Sequence, residues 1–195
     1  MLLKETGIKY SLTINPQLPD SSGYTTTRTR MLDISGKPYV APWMKSWKMN
    51  NPYWGCVNNP EFQNLFLQKG KKIIDLGAYG IVVDDARFNN HAIQWGGGCY
   101  CKYCIRDFCN YLRQNNMSFT NIFEKLQKVQ KYKDLYNDFQ TESVIVFLKD
   151  WRNNVHKYAN RPFKFITNNY GGVWTPIYKI FDAGIAEMST NKTKF

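Results

Sequence analysis

Three cysteines fall within six positions of the sequence, in the stretch GGGCYCKYC at residues 96–104. The thiolates of Cys99, Cys101 and Cys104 can converge on one zinc ion, because a glycine-rich turn leading into a helix can direct all three inward. A tetrahedral zinc site needs a fourth ligand. A disulfide in a secreted protein and free buried thiols are the alternatives. Cys109 is expected to be a small core residue of the helix that follows.

Polar side chains occur at the ends of three predicted strands. The strands are expected at residues 79–83, 163–167 and 184–188, and the side chains are Asp84, Asp85, Asn168, Asn169 and Glu187. Two carboxylates can catalyse a hydrolysis together when one protonates the leaving oxygen while the other attacks the electrophilic carbon or activates water. Asp84 and Asp85 alone do not make such a pair, because neighbours on a strand point to opposite faces. One of them is expected to face a cleft while the other makes a structural bond, for example to Arg87.

Hydrophobic periodicity predicts further elements around these residues. The expected elements are a strand at 8–14, a helix at 59–77 capped by Asn59, a helix that begins at Cys104, helices at about 119–131 and 138–159, and a short helix at 175–181. Residues 15–59 are predicted to be a long functional loop, since they combine Pro, Gly, Ser and Asn with several aromatic residues.

Strands separated by helices indicate a parallel α/β sheet. The chain has no glycine-rich phosphate loop after a strand, which a doubly wound sheet usually carries. Polar residues at successive strand ends are instead typical of a TIM-barrel-like (β/α)8 fold, whose loops share one mouth. A whole barrel takes about 250 residues, so four strands in 195 residues predict a single domain over residues 1–195 that is an incomplete barrel.

The run from Cys56 to Leu112 resembles the glycoside hydrolase family 42 β-galactosidases and related barrel hydrolases. That family combines one upstream cysteine with a C-Y-C-x-x-C segment that leads into a helix. Here Cys56 lies 43 residues before Cys99, and Phe108 followed by Tyr111-Leu112 resembles the family's helix, in which an aromatic residue and two further residues precede a leucine. The resemblance covers about a third of the chain.

The resemblance implies roles for these residues. Cys56, Cys99, Cys101 and Cys104 would hold a structural zinc ion that stabilises the loops after the third and fourth barrel strands. The strand before the cysteines would be the fourth, whose tip carries the general acid/base. The family has Asn-Glu there, whereas this chain has Asp84-Asp85, so Asp85 would be the acid/base. Glu187 is the late carboxylate available as nucleophile.

Aromatic and amide side chains in predicted loops are candidates for binding a sugar. A pyranose packs its apolar face on an aromatic ring, and the candidates are Trp54, Trp95, Trp174, Asn168 and Asn169. Trp151 has helical spacing and is expected in the core. His91 is predicted to lie in a surface loop.

The net charge of +11 allows a polyanionic partner, but the basic residues are spread along the chain and do not favour nucleic acid. No apolar run reaches the roughly 20 residues of a membrane span, and no signal peptide is visible, so a soluble protein is expected, with the cytoplasm favoured.

The function expected is a glycosidase for β-linked, β-galactoside-like sugars. The alternatives are an inactive or carbohydrate-binding zinc-braced relative, and a zinc-ribbon-like nucleic-acid binder. The missing barrel units would come from flanking sequence or from a homo-oligomer.

Overall fold

The computed structural model describes residues 6–18, 28–40, 45, 53–94, 98–168 and 175–185. Within these ranges the strands are β1 (Ser11–Ile14), β2 (Gln17–Leu18), β3 (Tyr53–Trp54), β4 (Gly80–Asp84), β5 (Lys164–Asn168) and β6 (Ala183–Ile185). The helices are α1 (Pro60–Asp75), α2 (Phe88–Gln94), α3 (Lys102–Gln114), α4 (Ile122–Lys128) and α5 (Gln130–Ala159), with a 3-10 helix at Thr175–Ile180.

The chain forms two compact units. The first consists of residues 1–16, 66–87 and 148–195, and the second of residues 17–65 and 88–147. Of the helices, α1 and α5 contribute residues to both. No helix in the described ranges has the length and apolar character needed to cross a membrane.

The first unit contains a parallel sheet whose strand order is β1-β4-β5-β6, the order in which these strands occur in the chain. A doubly wound sheet reverses its order at a switch point, whereas consecutive strands that stay neighbours are typical of a (β/α) barrel. The mixed α/β fold with a parallel sheet is therefore confirmed. The four strands expected from the sequence are the four strands of this sheet.

One face of the sheet is buried and the other is partly open, because side chains alternate along each strand. Ile81 and Val83 of β4 and Phe165 of β5 are fully buried. Val82 and Ile166, which point to the opposite face, are half-buried. The buried face packs on helices: the Trp151 ring of α5 lies 5.8 Å from that of Phe165. Trp151 is thus a core residue, as its spacing predicts.

In the second unit, β2 and β3 pair antiparallel within the stretch expected to be one long loop. The core cluster of buried residues comes from α3, α4 and α5 and consists of Phe108, Leu112, Ile122, Leu126, Tyr132, Tyr136 and Phe139. The α1 helix begins as predicted, since Asn59 Oδ1 accepts a hydrogen bond of 2.9 Å from the Glu61 amide.

The helices differ from the sequence prediction in two ways. The α3 helix begins at Lys102, two residues before Cys104, and α5 begins at Gln130 instead of about residue 138. The α2 helix was not predicted, because its seven residues, FNNHAIQ, are too short a stretch to display a helical period.

Candidate functional site: a four-cysteine cluster and a strand-end pair

Four cysteine side chains of the second unit converge in its interior. The sulfur atoms of Cys56, Cys99, Cys101 and Cys104 all lie within 4.8 Å of one another, and all four residues are buried. The tertiary structure therefore brings together the four cysteines that the family resemblance implies as zinc ligands. Cys109 is half-buried on α3 and belongs to no such group among the described residues.

The upstream cysteine, Cys56, is placed by a tight contact at the end of β3. Gly55 precedes Cys56, and a Cβ atom at Gly55 would lie 2.0 Å from Cε2 of the Phe62 ring. Only glycine lets the backbone approach that ring so closely. The amide of Cys56 donates a hydrogen bond of 3.0 Å to the Thr29 carbonyl, which fixes the segment on its other side.

The other three cysteines are placed by the start of α3. Gly98 has φ of +149°, and a Cβ atom there would come within 3.3 Å of Ile93 Cγ1. Cys101 is the residue before the first helical turn, with extended backbone angles, and Cys104 lies within that turn. The backbone at Gly98 and the first turn of α3 thus direct the thiols to one point, as the C-x-C-x-x-C spacing predicts.

The sulfur distances fit a tetrahedral metal site and not a disulfide. Cys56 Sγ lies 3.7 Å from Cys101 Sγ and 3.4 Å from Cys104 Sγ. Four thiolates about 2.3 Å from a central zinc ion would be about 3.8 Å apart, whereas a disulfide has an S–S distance of about 2.05 Å. All five cysteines are free. The donor set fits zinc, and four protein ligands would leave no open position for substrate.

Burial disfavours the charged thiolate form of these cysteines when no positive charge is near. Burial is the main reason why the pKa values of the Cys56 and Cys99 thiols are raised well above their usual range. The pKa of Cys101 is lowered, because the thiols of Cys104, Cys56 and Cys99 surround its sulfur as hydrogen-bond donors. A divalent cation would replace those protons and stabilise all four thiolates together.

Amide side chains surround the sulfur atoms, and the sequence gives no signal for them. Asn89 Nδ2 lies 3.4 Å from Cys56 Sγ and 3.6 Å from Cys104 Sγ. Asn58 Nδ2 donates to Cys104 Sγ over 3.3 Å. Asn58 follows β3 and Asn89 lies in the unpredicted α2, so these contacts between segments far apart in the chain arise only in the folded unit.

A tyrosine of α5 holds the backbone at the first cysteine of the motif. The Tyr136 hydroxyl donates a hydrogen bond to the Cys99 carbonyl, and its ring stacks on Tyr100 with the centroids 5.3 Å apart. Burial, together with the neighbouring Cys104 and Cys99, raises the pKa of Tyr136 well above its usual range. The hydroxyl therefore stays protonated and remains a donor.

The polar residues at the ends of β4 and β5 form a second candidate site, which lies in the first unit. Asp84 and Asn168 are opposite each other in the register of β4 and β5, and Asn168 Nδ2 donates a hydrogen bond of 3.0 Å to Asp84 Oδ1. Both residues are half-buried at the C-terminal end of the sheet. This is the end at which barrel enzymes place their active sites.

Asp85 begins the turn that leaves β4. Its φ of +50° is in the left-handed region, which an aspartate tolerates better than most residues. The pKa of the neighbouring Arg87 is lowered mainly by burial, an effect that Asp85 partly offsets. Asp85 lies close enough to Arg87 to influence its guanidinium electrostatically, while the Asp84 carboxylate accepts a hydrogen bond from Asn168.

Trp54 and His91 of the second unit are both buried. Trp54 has no solvent-exposed surface, and its ring centroid lies 5.3 Å from that of His91. A ring without an exposed face packs as a core residue in this conformation. His91, predicted in a surface loop, lies in α2 and is 6% exposed. Trp95, Trp174, Asn169 and Glu187 lie outside the described residues.

Of the comparisons with known proteins, the comparison of structures gives a match and the two sequence comparisons do not. No family model matches the chain, and no curated protein matches it in sequence. A solved structure of α-L-fucosidase isoenzyme 2 from Paenibacillus thiaminolyticus is similar to it, with a TM-score of 0.55 and 14% sequence identity. The match covers 85% of this chain and 21% of that protein, so the chain spans about a fifth of it. The chain shares its mixed α/β fold with part of a glycoside hydrolase.

Proposed function

We propose that this chain is the carbohydrate-acting part of a glycoside-hydrolase-like barrel. The observation that carries the proposal is the pair Asp84 and Asn168, which lie side by side at the C-terminal end of a parallel sheet whose strands follow chain order. The fold similarity to a glycosidase supports the same assignment. Strands that complete the barrel would come from flanking sequence or from a second copy of the chain.

In this proposal Asp85 is the general acid/base. A carboxylic acid at the strand tip protonates the leaving glycosidic oxygen and, in a retaining enzyme, later removes a proton from water. Asp84 takes the position of the family's asparagine, where its hydrogen bond with Asn168 keeps its carboxylate oriented. Glu187 is the proposed nucleophile. Asn168, Asn169, Trp95 and Trp174 remain the proposed substrate-binding residues, whereas the buried Trp54 is not among them.

The cysteine cluster supports the proposed barrel by joining two distant segments. Zinc bound by Cys56, Cys99, Cys101 and Cys104 would crosslink the segment after β3 to the start of α3. With four thiolates the ion has no open position, so its role is structural. Loss of the metal is expected to destabilise the second unit without removing a reacting group.

A carbohydrate-binding protein without hydrolase activity is the second candidate. The Asp84 carboxylate accepts a hydrogen bond from Asn168 at 3.0 Å, which places an acceptor and a donor side by side, as recognition of sugar hydroxyls requires. The strand tip also lacks the glutamate of the family pattern. Both observations favour binding over acid catalysis at this strand tip.

The test is hydrolysis of a panel of nitrophenyl glycosides that includes a β-galactoside and an α-L-fucoside. The purified chain is compared with Asp85→Asn and with Asp150→Asn, a control on the exposed surface of α5. General acid/base catalysis contributes about 10²–10⁴-fold, so Asp85→Asn should lose about that factor while Asp150→Asn retains activity.

Calorimetric titration with the corresponding free sugars separates the candidates. Binding without turnover, unaffected by Asp85→Asn, would favour the binding protein over the enzyme. If the chain neither hydrolyses nor binds any sugar of the panel, both candidates are wrong.

A further inference from the structure

The amide group of Asn89 is held in one orientation inside the second unit. Its Oδ1 accepts a hydrogen bond of 3.1 Å from the Val57 amide, and its Nδ2 donates to Gln140 Oε1 over 2.8 Å. The flipped amide would place Oδ1 against the Gln140 oxygen and Nδ2 against the Val57 N–H, so each bond would become a repulsion. Val57 and Gln140 therefore determine which atom of Asn89 points at the cysteines.

The atom that points at the cysteines is a donor with one hydrogen to spare. An amide nitrogen carries two hydrogens. One is directed at Gln140, and the other faces Cys56 Sγ at 3.4 Å and Cys104 Sγ at 3.6 Å. Asn89 is fully buried, so water does not compete for this hydrogen. Asn58 supplies a further N–H to Cys104 Sγ.

A metal site of this composition requires such donors. Four thiolates around a divalent ion leave two negative charges in excess, and this excess charge would lie among buried residues. Burying charge is costly unless hydrogen bonds satisfy it. Donors that face the ligand sulfurs before the metal arrives reduce that cost.

We infer that Asn89 is a positioning residue for a divalent metal ion: oriented by Gln140 and Val57, it donates a shared N–H···S hydrogen bond to the Cys56 and Cys104 ligands and thereby increases metal affinity. The inference is independent of the proposed glycosidase activity. It depends only on the four-cysteine cluster.

The chain provides a matched control one residue along the same helix. Asn90 Nδ2 donates to Asn137 Oδ1 at 3.0 Å and to Thr141 Oγ1 at 2.7 Å, both on α5. Asn90 therefore links α2 to α5 as Asn89 does through Gln140, but both of these Asn90 hydrogen bonds have oxygen acceptors. A loss of affinity caused only by weaker packing of α2 on α5 would appear in both variants.

The experiment measures Zn²⁺ affinity by chelator competition and the sulfur-to-cobalt charge-transfer band after loading with Co²⁺. Removing a hydrogen bond to a metal ligand typically costs 10–100-fold in affinity. Asn89→Ala should therefore bind Zn²⁺ about 10–100-fold more weakly, and its Co²⁺ band should move to lower energy, since a thiolate without the donor holds its electrons less tightly. Asn90→Ala should match the wild type in both measurements.

A second variant covers the case in which Asn89→Ala does not fold. Asn58→Ala changes a half-buried residue that donates to Cys104 Sγ and should shift the Co²⁺ band in the same direction. The inference is overturned if the wild-type chain binds no metal. It is also overturned if a folded Asn89→Ala variant shows an unshifted Co²⁺ band or, where that variant does not fold, if Asn58→Ala shows one. None of these results would bear on the hydrolysis of glycosides.

Discussion

The side-chain amide of Asn168 donates a hydrogen bond of 3.0 Å to Asp84 Oδ1 across two neighbouring parallel strands. The two residues are 84 positions apart in the chain. Their register pairs the last residue of β4 with the last residue of β5, so both side chains leave the sheet at the same edge and on the same face. A carboxylate and an amide arranged in this way can bind the hydroxyl groups of a sugar.

Replacing Asn168 tests whether this pair contributes to function. Asn168→Ala removes a hydrogen bond to a carboxylate, a bond worth about 1.5–3 kcal/mol. We expect the affinity for the sugar, or kcat/KM if the chain hydrolyses it, to fall by about 10–100-fold. Asn154→Ala, the same substitution on the exposed side of α5, should leave the value unchanged. Equal values for both variants would remove Asn168 from the proposed site.

Metal content should depend on Cys56 and not on Cys109. Native mass spectrometry of the purified chain should find one zinc ion per chain, because four sulfur atoms lie within 4.8 Å of one another. Cys56→Ser replaces a thiolate by a weaker ligand and should lose or weaken the ion. Cys109→Ser alters a cysteine outside this group and should retain it. Zinc retained equally by both variants would contradict the assignment of Cys56.

Gly55→Ala should destabilise the protein. The added methyl group would lie 2.0 Å from the Phe62 ring, and that ring is held by Phe88 and Phe147, whose centroids lie 6.3 and 6.0 Å away. Overpacking of this kind costs about 1–3 kcal/mol. Each kcal/mol corresponds to a fall in Tm of about 2–4 °C for a chain of this length. Gly184→Ala, whose nearest contact would be 3.9 Å away, should melt like the wild type.

Low pH should reduce the stability of the first unit, in part because the Asp182 carboxylate becomes protonated. Burial raises the pKa of this carboxyl, but hydrogen bonds from the Phe165 amide and the Arg152 guanidinium outweigh burial, so its pKa is below the ordinary value of 3.8. A depressed folded-state pKa stabilises the native state above pH 3.8, and that contribution disappears as the pH falls through the lower folded-state value.

The Asp182→Asn variant measures this contribution. It should be less stable than the wild type at neutral pH, and the difference in the free energy of unfolding should shrink below about pH 4. Asp150→Asn makes the same chemical change at the exposed surface of α5 and is measured beside it as the control. A constant difference between Asp182→Asn and wild type across the pH range would show that the carboxylate does not contribute through its ionisation.

The elements of the sheet could be predicted because their signals are local. Residues 80–84 and 164–168 combine β-branched or aromatic residues with polar ends, and Asn59 with Pro60 marks the start of α1. Short segments were less predictable. The α2 helix and the pairing of β2 with β3 depend on contacts with distant residues more than on their own composition.

Spacing alone predicted that three cysteines could share a metal, since the C-x-C-x-x-C segment determines how they can approach one another. Cys56 was identified through family resemblance, and its position beside the other three depends on the packing of Gly55 against Phe62. The surrounding donors Asn58 and Asn89 carried no sequence signal.

The sequence by itself thus determined the parallel α/β pattern, the polar strand ends and the cysteine motif, because each follows from the periodicity or spacing of residues close in the chain. The tertiary structure decided that the Asp84 carboxylate pairs with Asn168, that Trp54 is buried, and that Asn89 faces two sulfur atoms. The two contacts join residues between 15 and 84 positions apart in the chain, and the environment of Trp54 depends on burial. They arise only when strand register and side-chain packing bring those residues together.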